Sequence, residues 1–334
     1  MTSRQTILDL LSGKTIDSQP AFSGLIHVTA EGLRSEGISL PEAHTDATKM
    51  ARASASTFKL SGLPSAVAPL DMCVEAEAIG ASIDFRHNGD SAFPRVTKPL
   101  FPSVKFITSE IGDSFEILNR GRIRLVCEAL ELIKDDIGSD AVIGGMIPGP
   151  FTLLLFLIEP GGLFADMKRD PGTIREALFH LSSFLSRVAQ VYRNAGADFI
   201  TIHDMGGSPG FIGPAKYESF VFPAEKHLIE QLQKPCVLSI CGNTNKSLHL
   251  LAQTGAGAIS VDQLNDLAET RQVLTSTRLF GNIDPVATLW QGDQAAIAQA
   301  VRVAKQAGVD AVWPGCDLVP QTPPANIRIL MESN

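Results

Sequence analysis

The sequence lacks long apolar runs and clusters of basic residues. Its longest hydrophobic stretch, FTLLLFLIEP at residues 151–160, falls far short of the roughly 20 apolar residues that a membrane-spanning helix requires. Lysine and arginine occur in runs no longer than a pair, and the formal net charge is −8, which disfavours binding to a phosphate backbone. We therefore expect neither a membrane protein nor a nucleic-acid-binding protein.

Features of a secretion signal are missing too. Residues 1–17, MTSRQTILDLLSGKTID, are amphipathic but contain no long apolar core and no small-residue cleavage site. The segment is typical of a first helix, and we expect a cytoplasmic protein.

Cysteines are few and irregularly spaced. The chain has five, Cys73, Cys127, Cys236, Cys241 and Cys316, an odd number without a secretion signal, so we expect no disulfide framework. Cys127 lies in a helical pattern and Cys236 opens a strand-like run, which predicts core positions for both.

Signatures of nucleotide binding are also absent. No G-x-G-x-x-G follows a strand-like run, and the glycine-rich segment at 205–214, MGGSPGFIGP, has no P-loop Lys-Ser/Thr pair. We interpret this segment as a mobile lid or a partner-docking loop.

From residue 141 onward, β-rich runs alternate with helical patterns, which is typical of parallel βα units. Two further strand-like runs, PAFSGL and SAVAPL, flank a predicted helix at 46–62 and bring the number of strands to eight. The sequence therefore predicts an α/β fold, a (β/α)8 TIM barrel with an N-terminal helical extension, as a single domain over 1–334. The six later runs span 141–147, 197–202, 235–240, 256–260, 277–283 and 309–314.

In such barrels the chemistry lies at the C-terminal ends of the strands. Polar residues gather there in this sequence, which favours an active site at one rim. The residues at these strand ends are Pro148, Gly149, His203, Asp204, Ser239, Cys241, Asn243, Asp262, Gln263, Asn282, Asp284, Cys316 and Asp317.

Several of these side chains have a structural alternative. Asp204 suits a turn, Asn243 suits a left-handed turn position, and Asp284 suits the start of a helix. His203 could face either side of its strand. Glu75 and Glu77 share one side of a strand but lie about 200° apart on a helix.

Six stretches in chain order resemble the uroporphyrinogen decarboxylase superfamily, and within it the corrinoid-dependent methyltransferases. They are LLSGKTIDSQP, PEAHTDATKMA, PLDMCVEAEAIGA, SICGNT, FGNIDP and WPGCDLVPQTP. The decarboxylase branch fits poorly, because QPAFSGLIH has no counterpart of its Arg-rich RQAGRY-like segment. The resemblance implies a methyltransferase that takes its methyl group from methylcobalamin on a partner corrinoid protein.

Thiol-methylating members of this family hold zinc with a His-x-Cys pair and a distant Cys. The resemblance places Cys241 and Cys316 at the two cysteine positions and Ser239 at the histidine position. A hydroxyl is a poor zinc ligand beside thiolates. We therefore expect no bound metal, because two protein thiolates alone would make a weak, underfilled site.

Loss of zinc favours an amine acceptor over a thiol, because an amine needs no ionisation at neutral pH. The predicted activity is methyl transfer to N5 of tetrahydrofolate, similar to the folate-methylating component of glycine betaine demethylation systems. Catalytic roles are expected for Asn243, Asp204 and Asp284. Substrate contacts are expected for Glu75, Glu77, His203, Ser239, Cys241, Asp262, Gln263, Asn282 and Cys316.

Other functions stay open from the sequence. The first is a zinc-dependent methyltransferase to a thiol of the coenzyme M kind, with water, Glu75 or Glu77 completing the metal site. A non-catalytic module that binds the corrinoid protein and a porphyrinogen decarboxylase are less favoured. In each methyltransferase reading the partners are a corrinoid protein and a small-molecule substrate.

Overall fold

A parallel β-sheet with helices packed around it forms the body of the protein. The computed structural model describes residues 2–86, 93–111 and 115–332. Within these residues, seven strands pair in the order β1-β4-β5-β6-β7-β8-β9, and β2 and β3 form a separate antiparallel pair. The strands are β1 (Ser65–Ala68), β2 (Ile83–Asp84), β3 (Arg95–Val96), β4 (Val142–Pro148), β5 (Phe199–His203), β6 (Cys236–Ile240), β7 (Ala258–Val261), β8 (Arg278–Ile283) and β9 (Ala311–Pro314).

The predicted α/β barrel is confirmed, and its six later strands lie where the alternating pattern placed them. The predicted eighth strand, PAFSGL, differs: it contributes one parallel bridge, Ala21 to Val312, instead of a ladder. A Cβ at Gly24 would clash with Thr201 and Phe199, so the chain passes too close to the barrel interior for an ordinary strand residue. On its other side, Ser23 N donates to Ser65 Oγ at 2.9 Å, and the segment thereby fills the gap between β9 and β1.

Helices surround the sheet, and those in the described part of the chain are too short or too polar to cross a membrane. The α-helices are α1 (Ser3–Leu11), α2 (Ala30–Glu36), α3 (Leu40–Thr45), α4 (Ala47–Ser61), α5 (Val74–Ile79), α6 (Lys105–Ile111), α7 (Ile123–Ile137), α8 (Pro150–Leu157), α9 (Pro160–Arg169), α10 (Pro171–Asn194), α11 (Pro209–Ile212), α12 (Pro214–Lys216), α13 (Phe222–Gln231), α14 (Leu248–Leu251), α15 (Leu267–Val273), α16 (Gln294–Gln306) and α17 (Pro324–Glu332). Phe115–Asn119 and Asn245–Ser247 are 3-10 helices, and Tyr217–Val221 and Pro285–Trp290 are π-helices.

Aromatic side chains fill the N-terminal half of the barrel. Phe22, Phe280 and Trp313 are fully buried, and the Phe22 ring meets the Trp313 ring edge-on with 5.1 Å between centroids. Ile7 and Leu10 of α1 belong to the same apolar cluster. The predicted N-terminal helix therefore covers this end of the barrel and closes it.

Strand alternation then determines which side chains reach the opposite end. Phe199 belongs to the aromatic cluster inside the barrel, so Thr201 and His203, two and four residues later on β5, share its inward face. By the same argument Val237 on β6 places Ser239 inside. The polar residues of the strand ends thus stand above an apolar base.

Candidate functional site at the mouth of the barrel

Three potential metal ligands meet at the C-terminal ends of the strands. His203, Cys241 and Cys316 each offer one donor atom, and these atoms all lie within 4.8 Å of one another. His203 Nε2 is 4.0 Å from Cys241 Sγ, and the His203 side chain is completely buried. A His and two Cys are a donor set that zinc accepts, and three protein ligands leave a fourth position open for substrate.

The two rim cysteines come from distant parts of the chain. Cys241 follows β6 and Cys316 follows β9; their Sγ atoms lie at covalent-bond distance, as in a disulfide, and their Cα atoms are 5.9 Å apart. The other three cysteines are free, with Cys73 and Cys236 buried and Cys127 half-buried. The pair holds a metal only in its reduced state, because the thiolate is the ligand.

The histidine comes from the strand next to the one that the sequence pattern indicated. His203 of β5 and Ser239 of β6 are partners in the parallel register, and both point into the barrel. An imidazole at 203 therefore occupies the same level of the barrel as one at 239 would. His203 thus offers the third donor atom that Ser239 cannot provide.

Neighbouring groups contact these donors. Asp317 Oδ2 lies 3.5 Å from His203 Nε2, and its Oδ1 accepts a hydrogen bond from Ile26 N at 2.8 Å. Cys241 Sγ is 3.7 Å from the Gly315 carbonyl oxygen. Ser239 Oγ and His203 Nδ1 are buried and have no hydrogen-bond partner among the described residues.

A cavity of about 600 Å³ opens beside Cys241. The exposed rim side chains are apolar, since Phe211 is 62% and Leu264 60% exposed. Segment 205–214, which the sequence suggested as a lid or docking loop, forms one wall and carries α11. The lining residues are Thr152, Leu155, Phe156, Met205, Gly206, Ser208, Gly210, Phe211, Cys241, Gly242, Asn243 and Leu264.

Asp204 lies behind this wall, and its carboxyl group accepts hydrogen bonds from the two segments that form it. Its Oδ1 accepts hydrogen bonds from Thr152 N at 3.0 Å, Thr152 Oγ1 at 2.6 Å and Gly207 N at 3.1 Å. Burial raises the pKa of Asp204, and these hydrogen bonds oppose that rise. A Cβ at Gly149 would clash with the carboxyl group. Asp204 therefore ties the first turn of α8 to the segment after β5.

The remaining candidates on the later strand ends mostly hold loops. Asp262 Oδ1 accepts from Leu264 N at 2.7 Å, and Asp284 Oδ1 accepts from Val286 N at 2.7 Å and from Ala287 N at 2.9 Å. Asn282 Nδ2 donates to the backbone carbonyls of residues 262 and 265.

Asn243 and Gln263 differ from those loop-holding residues. Asn243 lines the cavity, and its Oδ1 accepts from Asn245 N at 3.1 Å. Gln263 Oε1 is buried and has no hydrogen-bond partner within the described part of the chain. Of the amides that the sequence singled out, Asn243 is the one placed on the cavity wall.

Glu75 and Glu77 lie on α5 and are engaged outside the three-donor group. Tyr192 OH donates to Glu75 Oε1 at 3.3 Å, and burial raises the pKa of Glu75 to about 8. Arg122 Nε donates to Glu77 Oε2 at 2.6 Å. The same Arg122 donates to both carboxylate oxygens of Asp71, at 2.7 and 3.1 Å.

Two residues that organise the site gave no sequence signal. Asn265 is buried, its Oδ1 accepts from Thr244 N at 2.7 Å, and its Nδ2 donates to the Gly242 carbonyl at 2.9 Å. It thereby fixes the loop that carries Cys241. Thr152 bridges Asp204 and Gly206 N, with the latter bond at 2.8 Å. Both act through backbone partners that sequence spacing does not reveal.

Known proteins resemble this chain along its whole length. The family profile described as "Uroporphyrinogen decarboxylase (URO-D)" matches residues 2–334. A methylcobamide:CoM methyltransferase MtbA of Methanosarcina acetivorans is 31% identical over 99% of this chain and 97% of its own. MtaA of Methanosarcina barkeri, with the same described activity, is 30% identical over 99% and 96%. A solved structure described as a methyltransferase from Methanosarcina mazei superposes with a TM-score of 0.94 at 28% identity, covering 100% of this chain and 98% of that one.

Proposed function

The chain belongs to the uroporphyrinogen decarboxylase (URO-D) family, and we propose that it is a corrinoid-dependent methyltransferase whose acceptor is a thiol held at a zinc site. The observation that carries the proposal is the meeting of His203, Cys241 and Cys316. The whole-length similarity to methylcobamide:CoM methyltransferases supports the same reaction class.

A thiol acceptor needs this donor set more than an amine does. A free thiol has a pKa of about 8.5 and is mostly protonated at neutral pH. Zinc bound by the three residues would stabilise the acceptor as its thiolate, which is the nucleophile. In the transfer, a sulfur lone pair forms the new S–CH3 bond, the Co–C bond breaks, and its electron pair stays with the cobalt of the partner's corrinoid. The thiol proton goes to solvent.

The protein's own residues contribute positioning and exclusion of water. His203 and the two cysteines hold the acceptor sulfur at the centre of the barrel mouth. Phe156 and Phe211 form apolar walls beside it, and Asp204 and Asn265 fix the two loops that carry the walls and Cys241. Orientation of two reactants in this way can account for a large part of a rate enhancement.

Tetrahydrofolate stays as a second candidate acceptor because one feature suits a pterin ring. The cavity has largely apolar walls that include two aromatic rings, with Phe156, Phe211 and Asn243 among the lining residues. Two features weigh against it. Asp262 and Asp284 accept hydrogen bonds from the backbone, and the missing third ligand, on which the amine proposal depended, is offered by His203.

Metal analysis combined with methyl transfer tests the proposal. The protein is purified under reducing conditions with zinc, and methylcobalamin consumption is followed with a thiol or with tetrahydrofolate. We expect one zinc per chain and thiol-dependent turnover. Both should be lost in Cys241→Ser and retained in the control Cys127→Ser, because Cys127 lies outside the donor group.

Other results would assign other functions. Turnover with tetrahydrofolate by zinc-free protein would establish the amine acceptor and overturn the thiol proposal. Corrinoid binding without any methyl transfer would instead identify a non-catalytic binding module.

A further inference from the structure

We infer that the acceptor is an uncharged thiol with an apolar body, rather than an anionic thiol. This inference rests on the proposed function and names the substrate class of the same site. Coenzyme M, the acceptor named for the relatives, carries a sulfonate that stays ionised at every physiological pH. The walls of this cavity offer that charge nothing to pair with.

No lysine, arginine or histidine is among the described residues that line the cavity. The wall that would meet the body of the acceptor is built from Leu155, Phe156, Met205, Phe211 and Leu264. An anion transferred into such surroundings without a partner loses its hydration and gains no compensating contact. A carboxylate could escape by taking up a proton, but a sulfonate cannot.

The N–H groups of segment 206–210 and of the first turn of α8 do not form an anion-binding nest, because four of them donate to acceptors of the protein. Gly206 N donates to Thr152 Oγ1, and Gly207 N donates to Asp204 Oδ1. Gly210 N donates to Ser208 Oγ at 3.3 Å. Thr152 N, at the start of α8, donates to Asp204, so the helix end that could bind an anion is occupied by a carboxyl group of the protein.

Two carboxylates lie near the mouth. Asp317 stands beside His203, and Asp262 lies on the loop that precedes the rim residue Leu264. The polar side chains of Thr152, Ser208 and Asn243 on the cavity wall are neutral. Neutral groups suit a hydroxyl, carbonyl or sulfone group, but they do not offset the charge of a sulfonate.

A pair of thiols that differ only in charge tests this inference. 2-Mercaptoethanesulfonate is compared with its neutral isostere, 2-mercaptoethyl methyl sulfone, and 1-butanethiol tests the apolar body. The kcat/KM for methyl transfer from methylcobalamin is measured by thioether formation on zinc-loaded protein. We expect the sulfone to exceed the sulfonate by about 10- to 100-fold, the range for one unpaired charged group.

Calorimetric binding of the methylated products gives a second readout that does not depend on turnover. The thioether of the sulfone should bind more tightly than that of the sulfonate, by a similar factor. An equal or higher kcat/KM for the sulfonate, or tighter binding of its thioether, would overturn the inference and leave the thiol proposal standing. If none of the three thiols were methylated, both this inference and the thiol proposal would be overturned.

Leu264 offers a variant that should reverse the preference. Its side chain is 60% exposed at the rim, so Leu264→Lys places a cation at the mouth without filling the cavity. We expect this change to raise the ratio of kcat/KM for the sulfonate to kcat/KM for the sulfone by about 3- to 10-fold, the effect of a partly screened charge. The matched uncharged variant Leu264→Gln should show no gain. The charge argument would be contradicted if this ratio of kcat/KM values rose equally in both variants, or if it rose in neither variant.

Discussion

Moving the imidazole between two neighbouring strands would test the metal site most directly. His203→Ala removes one of the three proposed protein ligands. Structural zinc sites bind with about 10–16 kcal/mol, which averages about 3 kcal/mol for each of four ligands, or about 200-fold in affinity. We expect the zinc affinity of His203→Ala to fall by about that factor, as measured by competition with a chromophoric chelator on reduced protein.

The double variant His203→Ser with Ser239→His should recover much of this loss. The two positions are register partners on β5 and β6, and both side chains are buried and point inward. Exchanging them conserves the summed side-chain volume, the kind of change that cores tolerate best. A zinc affinity at least about tenfold higher than that of His203→Ala would show that an imidazole at this level of the barrel binds the metal. The single variant Ser239→His serves as the control for added imidazole.

Either of two results would refute the reasoning. Wild-type zinc affinity in His203→Ala would show that the imidazole is not a ligand. If the folded double variant bound zinc no more tightly than His203→Ala does, the two register positions would not be equivalent for metal binding. Thermal unfolding and circular dichroism of each variant would establish that the barrel remains intact.

Three further predictions concern groups outside the donor set. Burial raises the pKa of Glu75 to about 8, so the folded state holds a proton that the unfolded state loses above about pH 4.3, and stability falls as the pH rises between these values. Glu75→Gln should therefore stabilise the protein by up to about 4 kcal/mol at pH 7.5 and by little at pH 4. Equal denaturation midpoints of the variant and the wild type at pH 7.5 would contradict this. Burial alone would raise the pKa of Asp71, but the charge of Arg122 and the hydrogen bond from His44 hold this pKa well below its usual range. Arg122→Met should therefore lower the free energy of unfolding in urea by about 3–5 kcal/mol at pH 7. The loss should be smaller at a pH low enough to protonate Asp71. Asp284→Ala should cost about 1 kcal/mol through the lost cap and leave kcat/KM within twofold, whereas a loss of activity in the folded variant would return Asp284 to a catalytic role.

The order of strands and helices was predictable because each element carries its own pattern. The six later strands follow from apolar runs between helical periods, and the polar strand ends follow from the barrel rule. The segment PAFSGL was predicted as a strand but makes a single bridge, since the clash at Gly24 arises from β5, which lies far away in the sequence.

Side-chain partners were less predictable, because they depend on register between strands. The motif around Cys241 indicated a missing ligand at Ser239, and the sequence does not show that His203 is the residue across from it. Asp262 and Asp284 resemble rim carboxylates in the sequence, but each accepts hydrogen bonds from backbone groups two or three residues later. For Asp284, the alternative of a helix cap was already visible in the sequence.

The aromatic closure at the N-terminal end of the barrel has a consequence for the order of events in turnover. Among the described residues, Phe22, Trp313 and the α1 side chains seal that end, so the cavity beside Cys241 opens toward the rim. Under the proposed function, a corrinoid protein that presents its methyl group there would cover the same opening. The acceptor would then have to enter first, and the methylated product would leave after the carrier departs. Such a compulsory order predicts inhibition by the carrier at high concentration, because a carrier bound over the methylated product prevents the product from leaving.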